Sequence, residues 1–299
     1  MRAVVMAGGE GTRLRPMTAN QPKPLLPVVN QPIMGHVLAL LRTHGIDETV
    51  VTVQFLASLI RTYFGDGEEL GMHLSYATEQ APLGTAGSVK NAEDALKDDS
   101  FLVISGDALT DIDLTALMQA HRDNGALVTV CLKRVPDPLE FGIVITDQEQ
   151  RIERFLEKPT WGQVFSDTVS TGIYVMEPEV FRHVTAGESV DWSADVFPAL
   201  IQAGAPLFGY VADGYWEDVG TLENYLRVQA DVLNRKVDVE IPGFEMSPGV
   251  WIGEGAMVDP DARITGPVCI GSYAKVEAGA ELRELTVLGD NVVVKGGAF

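Results

Sequence analysis

A glycine-rich segment close to the start of the chain, residues 8–16, has the composition of a phosphate-binding loop. It directly follows the apolar residues 3–6, so the loop is predicted to begin where a strand ends. Glycines let the backbone come close to a phosphate and turn several N–H groups toward it. An arginine in such a loop offers a planar guanidinium that bridges two phosphate oxygens. The predicted phosphate ligands are Gly8, Gly9, Gly11, Thr12 and Arg13.

Two well-known phosphate loops do not match this segment. A dinucleotide-binding loop has a third glycine where Leu14 stands, and a P-loop has Gly-Lys-Ser/Thr, which is absent. A tight turn between a strand and a helix would explain the glycines but not Arg13 and Arg15 beside them. On this segment alone, a phosphate loop and a structural turn both stay open.

A further basic residue, Lys23, stands between Pro22 and Pro24. Proline fixes the local backbone and removes a hydrogen-bond donor, so this lysine lies on a stiff segment. Such rigidity is useful if the ammonium is aimed at a phosphate, and an exposed lysine in a proline turn is the alternative. Against the single acidic residue Glu10, the first thirty positions carry Arg2, Arg13, Arg15 and Lys23.

The chain as a whole carries a formal charge of −20. The resulting field repels nucleic acid and anionic membranes, which excludes non-specific binding of either as the function. No apolar stretch approaches the roughly 20 residues that a membrane helix needs. Cys131 and Cys269 lie far apart without metal or redox spacing, so free thiols in a reducing cytoplasm are expected.

The elements that must position these residues alternate along the first two-thirds of the chain. Helical patterns fall between short strands rich in Val and Ile, which predicts an α/β fold with a mostly parallel sheet covered on both faces. Strands are predicted at 3–6, 49–53, 74–77, 101–105 and 126–132. Helices are predicted at 33–43, 86–96, 114–124, 179–184, 194–203 and 222–233. Proline and glycine then predict a linker at 241–248.

After the linker, a large aliphatic residue recurs at every sixth position: Ile252, Val258, Ile264, Ile270, Val276, Leu282, Leu288 and Val294. A mostly small residue follows each by four positions, and this double period predicts a parallel β-helix of hexapeptide repeats. Two domains are therefore expected, at 1–240 and 241–299. The repeats continue to Phe299 without a polar cap, and an uncovered solenoid end exposes unpaired strand edges. We therefore expect either that this end packs against another subunit or that the full-length protein is longer, and we favour the second.

Five further motifs follow the loop and the lysine. They are Leu83-Gly84-Thr85-Ala86-Gly87, Ser105-Gly106-Asp107, Glu157-Lys158-Pro159, Thr171-Gly172-Ile173-Tyr174 and Trp216-Glu217-Asp218-Val219-Gly220. With the repeats, this set resembles the sugar-1-phosphate nucleotidylyltransferases over essentially the whole chain. The resemblance implies a Rossmann-like catalytic domain, a left-handed β-helix and a homo-oligomer. It also implies an enzyme that joins an NTP to a sugar 1-phosphate and releases pyrophosphate.

The resemblance implies that Asp107 and Asp218 hold Mg²⁺ against the nucleotide phosphates. Asp107 also follows the apolar run 101–105, at the carboxyl edge of a parallel sheet, where open α/β folds bind ligands. Two carboxylates completed by phosphate and water suit magnesium, which prefers few hard oxygen ligands. Glu217 and Asp111 are neighbouring alternatives as metal ligands.

The resemblance assigns the sugar side as well, with Lys158 on the sugar phosphate and Glu157 on the sugar hydroxyls. Thr171 and the backbone of Gly142 and Gly172 are expected to contact the sugar, since glycine leaves the approach open. Catalysis would then come from alignment and from charge compensation in the transition state rather than from a covalent intermediate. The implied catalytic set is Arg13, Lys23, Asp107, Lys158 and Asp218.

The position that discriminates between bases is Glu79. Uridylyl- and thymidylyl-transferring relatives usually have glutamine there, whereas guanylyl-transferring relatives resemble this chain in having glutamate. A carboxylate only accepts hydrogen bonds, which suits the adjacent N1–H and N2 amino donors of guanine and opposes the carbonyls of uracil or thymine. GTP is therefore the expected nucleotide, with Gln80 as the alternative base reader. Gly84 and Thr85 are expected to contact the nucleotide.

Guanylyl-transferring relatives mostly use mannose 1-phosphate, which is the expected sugar. Mannose-specific relatives often have Asn where this chain has Ser170, two residues before Gly172. The alternatives are a thymidylyl- or uridylyltransferase for glucose 1-phosphate and a non-catalytic relative that senses nucleotide sugars. An acyltransferase on the β-helix would need a histidine in the repeats, and none of the histidines lies beyond His183.

Overall fold

In a computed structural model of the protein, the structure describes residues 1–157, 160, 162, 164 and 166–299. These residues form two compact units. Unit 1 contains Met1–Glu10, Leu38–Gly106 and Ile112–Trp216, and unit 2 contains Gly11–Val37, Asp107–Asp111 and Glu217–Phe299. No helix of the described part is long and apolar enough to cross a membrane.

The first thirteen strands precede the repeats. They are β1 (Arg2–Met6), β2 (Pro27–Val28), β3 (Gln31–Pro32), β4 (Glu48–Val53), β5 (His73–Thr78), β6 (Phe101–Ser105), β7 (Ala108–Thr110), β8 (Val128–Arg134), β9 (Ile143–Thr146), β10 (Ile152–Leu156), β11 (Thr168–Met176), β12 (Leu207–Val211) and β13 (Trp216–Asp218). The helices are α1 (Ile33–Thr43), α2 (Ala57–Phe64), α3 (Gly84–Lys90), α4 (Glu93–Leu96), α5 (Leu114–Asn124), α6 (Phe197–Gln202) and α7 (Leu222–Leu233).

The central sheet of unit 1 is mixed and mostly parallel, which confirms an α/β fold. Its order is β10-β9-β11-β6-β1-β4-β5, and β8 joins β11 to β12. The strands β6, β1, β4 and β5 are parallel, whereas β11 runs antiparallel to β6, β8 and β9, and β10 runs antiparallel to β9. Since β12 is parallel to β8, only β10 and β11 oppose the common direction among the described strands of this sheet.

Apolar residues on these strands form the core of unit 1. Val4, Val103 and Val130 are fully buried and belong to one cluster with Phe101 and Trp192. The aromatic rings pack specifically within this cluster, since Phe101 and Phe181 stack with centroids 5.1 Å apart. In β1 and β6 the buried residues form continuous apolar runs rather than alternating patterns, as expected for parallel strands covered on both faces.

Local side-chain and backbone features explain where helices begin and end. The helices α1, α5 and α7 begin and end where the sequence predicts them. The Asp113 side chain caps α5 by accepting from Ala116 N, and α5 stops at Gly125, whose φ is 53°. The predicted helix at 86–96 is instead two helices, α3 and α4. The chain turns at Asn91 and Ala92 between them, while the apolar spacing continues through the break.

The repeats of unit 2 form short parallel strands. They are β14 (Phe244–Ser247), β15 (Val250–Ile252), β16 (Met257–Val258), β17 (Arg263–Ile264), β18 (Val268–Ile270), β19 (Lys275–Val276), β20 (Glu281–Leu282), β21 (Thr286–Leu288) and β22 (Val293–Val294). From β15 to β19, each strand pairs in parallel with the strand three further on, giving the sheets β15-β18-β21, β16-β19-β22 and β17-β20. All eight large aliphatic positions of the period lie in, or pack against, one core.

The predicted linker at 241–248 differs from the structure. Its second half is the strand β14, which pairs antiparallel with β15. Gly249 makes the connecting turn possible because its φ of 76° lies in the left-handed region that favours glycine. The proline and glycine of this segment therefore mark a hairpin as well as a change of architecture.

Candidate active site

The main cluster of charged groups in unit 2 is centred on Lys23. Its ammonium donates to Asp107 Oδ2 at 2.6 Å and to Asp218 Oδ1 at 3.2 Å. Lys23 is buried, with only 6% of its surface exposed, whereas each aspartate keeps about a third of its side chain accessible. Three residues predicted from separate motifs thus meet at one point.

Local structure explains this meeting. Lys23 begins a 3₁₀ turn, Lys23–Leu25, which Pro22 and Pro24 stiffen. Asp107 stands immediately before β7, Asp218 is the last residue of β13, and β7 and β13 pair as a two-stranded sheet. This small sheet holds the two carboxylates at neighbouring strand ends.

The charge of Lys23 follows from its surroundings. Burial alone would lower the pKa of the ammonium, but the charges of Asp107 and Asp218 and their hydrogen bonds outweigh burial and raise the pKa above its ordinary value. The group is therefore protonated throughout the neutral pH range. Lys23 can compensate negative charge there, and it has no free electron pair with which to act as a general base.

The glycine-rich loop packs against the same lysine. Gly11 has a φ of 62°, and a Cβ at this position would lie 3.0 Å from Lys23 Cβ and 3.1 Å from Thr18 Cγ2. Thr18 Oγ1 donates to Gly11 O at 2.8 Å and so fixes the close approach. Gly11 and Lys23 come from two separate sequence motifs, and they form one local structure.

Arg13 lies on the exposed side of the cluster. Its guanidinium is 3.8 Å from Asp218 Oδ2, and 57% of its side chain is accessible. Gly220 makes room for it, because a Cβ there would lie 3.0 Å from Arg13 Nη2 and 2.9 Å from Asp218 Oδ2. Within unit 2, Lys23 and Arg13 thus approach different oxygens of the Asp218 carboxylate, and Arg13 is the more exposed of the two cations.

The alternative metal ligands have other partners. Glu217 Oε1 accepts from Asn224 and, at 3.1 Å, from Arg227, both on α7. Burial raises the pKa of Glu217 above its usual range, while Asn224 and Arg227 oppose the shift. Asp111 Oδ2 accepts from the backbone of Asp238 at 2.8 Å. Both carboxylates hold contacts within unit 2, whereas Asp107 and Asp218 converge on the Lys23 ammonium.

The donor set at Lys23 suits a divalent cation that also binds phosphate. The described residues contain no group of three or more His, Cys, Asp or Glu side chains able to enclose a metal ion by themselves. Two carboxylates within reach of one ammonium do provide hard oxygen donors on a shared centre, and Mg²⁺ usually completes such a set with phosphate and water. Asp107 and Asp218 therefore fit the implied ion.

In unit 1, the predicted base reader Glu79 is buried and held on both oxygens. Its Oε1 accepts from Ser88 Oγ at 2.6 Å and its Oε2 accepts from Leu83 N at 3.3 Å. Gly8 lies against it, since a Cβ there would be 3.2 Å from Oε1. The rival reader, Gln80, is exposed.

The glycine and threonine that follow Glu79 close the turn into α3. Gly84 has a φ of 68°, and a Cβ at this position would lie 2.5 Å from Val190 O, so no other residue fits without displacing the backbone. The Thr85 hydroxyl donates to Asp191 Oδ2 at 2.7 Å and accepts from Trp192 N at 2.9 Å. The Thr85 side chain is thus committed to the protein, while Gly9 has open space around it.

In unit 1, the amino acids that are predicted to bind the sugar belong to two structural features. Gly142 is tightly packed, because a Cβ would lie 2.7 Å from Phe155 Cε1 and 2.8 Å from Glu157 Oε2. Its carbonyl accepts from Ser170 N at 2.8 Å, which links it to β11. Lys158 lies outside the described residues.

The second feature is an irregularity in β11 at the Thr171-Gly172 motif. The pairing with β8 shifts between Ser170 and Tyr174, and Gly172 has a φ of 77°. Thr171 Oγ1 donates to Cys131 O at 2.9 Å, and Thr171 O accepts from Trp216 Nε1 at 3.1 Å. A bulge of this kind re-aims backbone groups away from the ladder, as a ligand site requires.

Three residues outside the predicted set support these contacts. Ser88 holds Glu79, Gly220 admits Arg13, and Trp216 binds the bulge of β11. Gly220 and Trp216 stand in a motif that the resemblance includes, so their presence was a signal even though their contacts were not. Ser88 gives no signal in the sequence, since a serine in a helix is common.

Comparison with known proteins assigns the class of this protein. Residues 2–235 match the family described as nucleotidyl transferase. The chain belongs to this nucleotidyl transferase family, which confirms the resemblance seen in the sequence. Members of the family generally use a divalent metal and act on an NTP and a sugar 1-phosphate.

Individual relatives are similar over most of the chain. The UTP–glucose-1-phosphate uridylyltransferase of Synechocystis sp. is 37% identical over 100% of this chain and 81% of its own length. The mannose-1-phosphate guanylyltransferase of Mycobacterium tuberculosis is 37% identical over 99% of this chain and 81% of its own. A solved Bacillus anthracis protein described as a glucose-1-phosphate thymidylyltransferase superposes with a TM-score of 0.70 at 26% identity, covering 77% of this chain and 94% of its own.

Proposed function

We propose that the protein transfers a guanylyl group from GTP to mannose 1-phosphate, forming GDP-mannose and pyrophosphate. The observation that carries the choice of base is the set of donors around Glu79. Ser88 Oγ and Leu83 N both donate to this side chain, one to each oxygen. The carboxylate accepts both bonds and presents only acceptor atoms to a base, whereas an amide would present one acceptor and one donor.

The held carboxylate retains the capacity to bind guanine. An ionised carboxylate has about four lone-pair sites, so one protein donor on each oxygen leaves room for the N1–H and N2 amino donors of the base. Uracil and thymine would present a carbonyl oxygen to the same atoms, and the unpaired acceptors would weaken their binding. Glu79 therefore favours a purine with two adjacent donors.

The proposed chemistry is in-line attack of the sugar phosphate oxygen on the α-phosphorus of GTP, with pyrophosphate as the leaving group. Arg13, the loop backbone at Gly9, Gly11 and Thr12, and Lys23 would bind phosphate oxygens and compensate the charge that develops on them. Mg²⁺, held by Asp107 and Asp218, would supply Lewis-acid polarisation of the phosphates. Lys23 stays protonated, which suits a cation fixed beside the reacting phosphate.

The sugar side of the proposal uses Gly142, Glu157, Thr171 and Gly172, with Lys158 on the sugar phosphate. Thr171 would contribute through its backbone, because its hydroxyl already donates to Cys131 O. Mannose 1-phosphate as the substrate is supported by the similarity to the mannose-1-phosphate guanylyltransferase of Mycobacterium tuberculosis. Ser170 stands where mannose-specific relatives often have Asn, and this difference removes one possible contact to a sugar hydroxyl.

A second candidate is uridylyl transfer from UTP to glucose 1-phosphate. The Synechocystis relative of that function is as similar in sequence as the mannose relative, at 37% identity. Overall identity therefore does not separate the two reactions. The Glu79 side chain, which only accepts hydrogen bonds, favours the guanylyl reaction, and a substitution at this residue distinguishes the candidates.

We expect Glu79→Gln to lower the ratio of kcat/KM for GTP to that for UTP about a hundredfold, since charge-assisted hydrogen bonds to the base would be lost. Both nucleotides are to be measured with mannose 1-phosphate and with glucose 1-phosphate. Gln80→Ala, which changes the exposed neighbour, serves as the matched control and should leave the ratio unchanged. An unchanged ratio in Glu79→Gln would transfer base reading to Gln80 or to the backbone.

The remaining parts of the proposal concern the whole protein. The strand pairing and interior core of the repeats support a parallel β-helix at 241–299, for which the family resemblance implies the left hand, following a catalytic domain at 1–240. A homo-oligomer built through the repeats and a cytoplasmic location complete the proposal. The buried thiols of Cys131 and Cys269, whose pKa values burial raises to about 12 and about 11, fit a reducing compartment.

A further inference from the structure

A chain of two hydroxyls leads to the carboxylate of Glu79 inside unit 1. Ser88 Oγ lies 2.7 Å from Thr52 Oγ1 and 2.6 Å from Glu79 Oε1. All three residues are buried, with exposed fractions of 0% for Thr52, 6% for Ser88 and 8% for Glu79. Thr52 belongs to β4 and Ser88 to α3, so these hydrogen bonds connect two elements of unit 1 to Glu79, the residue that follows β5.

The charge on Glu79 fixes the direction of these hydrogen bonds. An ionised carboxylate only accepts, so the single proton of the Ser88 hydroxyl must point to Glu79. Ser88 then accepts from Thr52, whose hydroxyl becomes the outer donor. Each hydroxyl polarises the next, and the bond that reaches the carboxylate is charge-assisted.

These bonds determine the orientation of the carboxylate plane. The backbone of Glu79 is fixed to the sheet by its N–H, which donates to Val53 O at 2.9 Å. The terminal torsion of a glutamate is broad and would otherwise be free to rotate. Ser88 on one oxygen and Leu83 N on the other remove this freedom, leaving the outer lone pairs aimed in one direction.

We propose that Ser88 is a positioning residue that sets the base specificity of the enzyme through Glu79. This inference rests on the proposed function of Glu79 and adds a determinant on α3 to it. The ligand that Ser88 selects through Glu79 is a base with two adjacent hydrogen-bond donors. Without its hydroxyl, the carboxylate turns about its terminal torsion and no longer meets both donors at once.

A purely structural role for the Ser88 hydroxyl is not needed. The start of α3 is fixed by backbone bonds, since Ala86 N and Gly87 N donate to Val190 O at 2.9 and 3.2 Å. The next residue, Val89, is fully buried in the core of unit 1. Removal of the Ser88 hydroxyl should therefore leave α3 in place and take away one of the hydrogen bonds that Glu79 accepts.

The test compares GTP and UTP in Ser88→Ala, Ser88→Thr and Ser100→Ala. We expect Ser88→Ala to lower the GTP:UTP ratio of kcat/KM about tenfold, the order of one charge-assisted hydrogen bond. The loss should appear as a higher KM for GTP at nearly unchanged kcat, as for a contact made in the ground state. Ser88→Thr keeps the hydroxyl and should restore most of the ratio.

Ser100→Ala is the matched control. Ser100 Oγ also donates to a glutamate, Glu177 Oε1, at 2.6 Å, so it removes an equal hydrogen bond elsewhere in unit 1. Its GTP:UTP ratio should equal that of the unchanged protein. In a Glu79→Gln background, Ser88→Ala should add little to the loss, because the group through which it acts is gone.

The outcomes separate this inference from the proposed function. If the unchanged protein does not prefer GTP, the proposed function fails. If it prefers GTP and Glu79→Gln lowers the ratio but Ser88→Ala does not, the role of Ser88 is overturned and the proposed function stands. An equal loss with GTP and UTP also overturns it. Should Ser88→Ala fail to fold, Thr52→Val removes the outer donor at constant shape, and an unchanged ratio there overturns the inference.

Discussion

Asp107→Asn is expected to lower turnover about a thousandfold while the protein stays folded. The substitution keeps the shape of the side chain and removes the negative charge, so a divalent ion held as proposed would lose one of its two carboxylates. Metal ions contribute several kcal/mol of charge stabilisation in such reactions, and each 1.36 kcal/mol is a factor of ten in rate. The measurement is pyrophosphate release with GTP and mannose 1-phosphate at saturating Mg²⁺.

The control for Asp107 is Asp111→Asn. Asp111 stands four positions further along the same segment, and its carboxylate accepts from the backbone of Asp238. An asparagine oxygen can still accept this bond, so turnover should stay close to that of the unchanged protein. Thermal unfolding of both variants verifies that they are folded. Full activity in Asp107→Asn would remove Asp107 from the metal site.

Lys23→Met is the second substitution with a large expected effect, a loss of about a hundredfold to a thousandfold in kcat. That range is typical for the removal of one preorganised electrostatic group at a developing charge. Methionine fills the buried channel of the lysine stem but carries no charge. The loss should appear in kcat at every pH between 6 and 9, because the pKa of Lys23 is raised and its charge is constant there.

The same variant changes the response of the protein to a divalent cation. Without the ammonium, Asp107 and Asp218 lose the charge that balances both of them. Their mutual repulsion should lower the melting temperature, and Mg²⁺ alone should restore it by more than it raises that of the unchanged protein. Equal Mg²⁺ shifts in both proteins would contradict the shared centre of the two carboxylates.

Lys23→Arg tests whether charge alone is sufficient. The side chain of Lys23 is only 7% exposed, and a guanidinium is larger and planar, so it cannot occupy the same point between the two oxygens. We expect this variant to be nearly as impaired as Lys23→Met. Near-normal turnover would show that positive charge anywhere in this region is enough.

The sequence allowed the elements of the fold to be predicted where their patterns are long and periodic. Helices α1, α5 and α7 have the predicted bounds, because each combines an apolar stripe with clear end signals. The short hairpin β2–β3 and the pair β7–β13 were not predicted, since strands of two or three residues leave too little pattern. The reversal of β11 also escaped prediction, because a buried antiparallel strand has the same apolar run as a parallel one.

The site was predictable in its residue types more than in its contacts. Lys23, Asp107 and Asp218 were each identified from a motif, yet no spacing indicates that the ammonium donates to both carboxylates. Glu79 was identified from the family resemblance, and the chemistry of the base indicated its preference for guanine. The hydroxyl of Ser88 was not, because its contact with Glu79 depends on how α3 packs beside the end of β5, a tertiary arrangement that no local pattern encodes.

Pyrophosphate release across a matrix of substrates tests the central claim most directly. GTP, UTP, dTTP and ATP would each be combined with mannose 1-phosphate and with glucose 1-phosphate in the presence of Mg²⁺. Among these pairs, we expect the highest kcat/KM for GTP with mannose 1-phosphate. A higher value for UTP with glucose 1-phosphate, or no turnover with any pair, would contradict it.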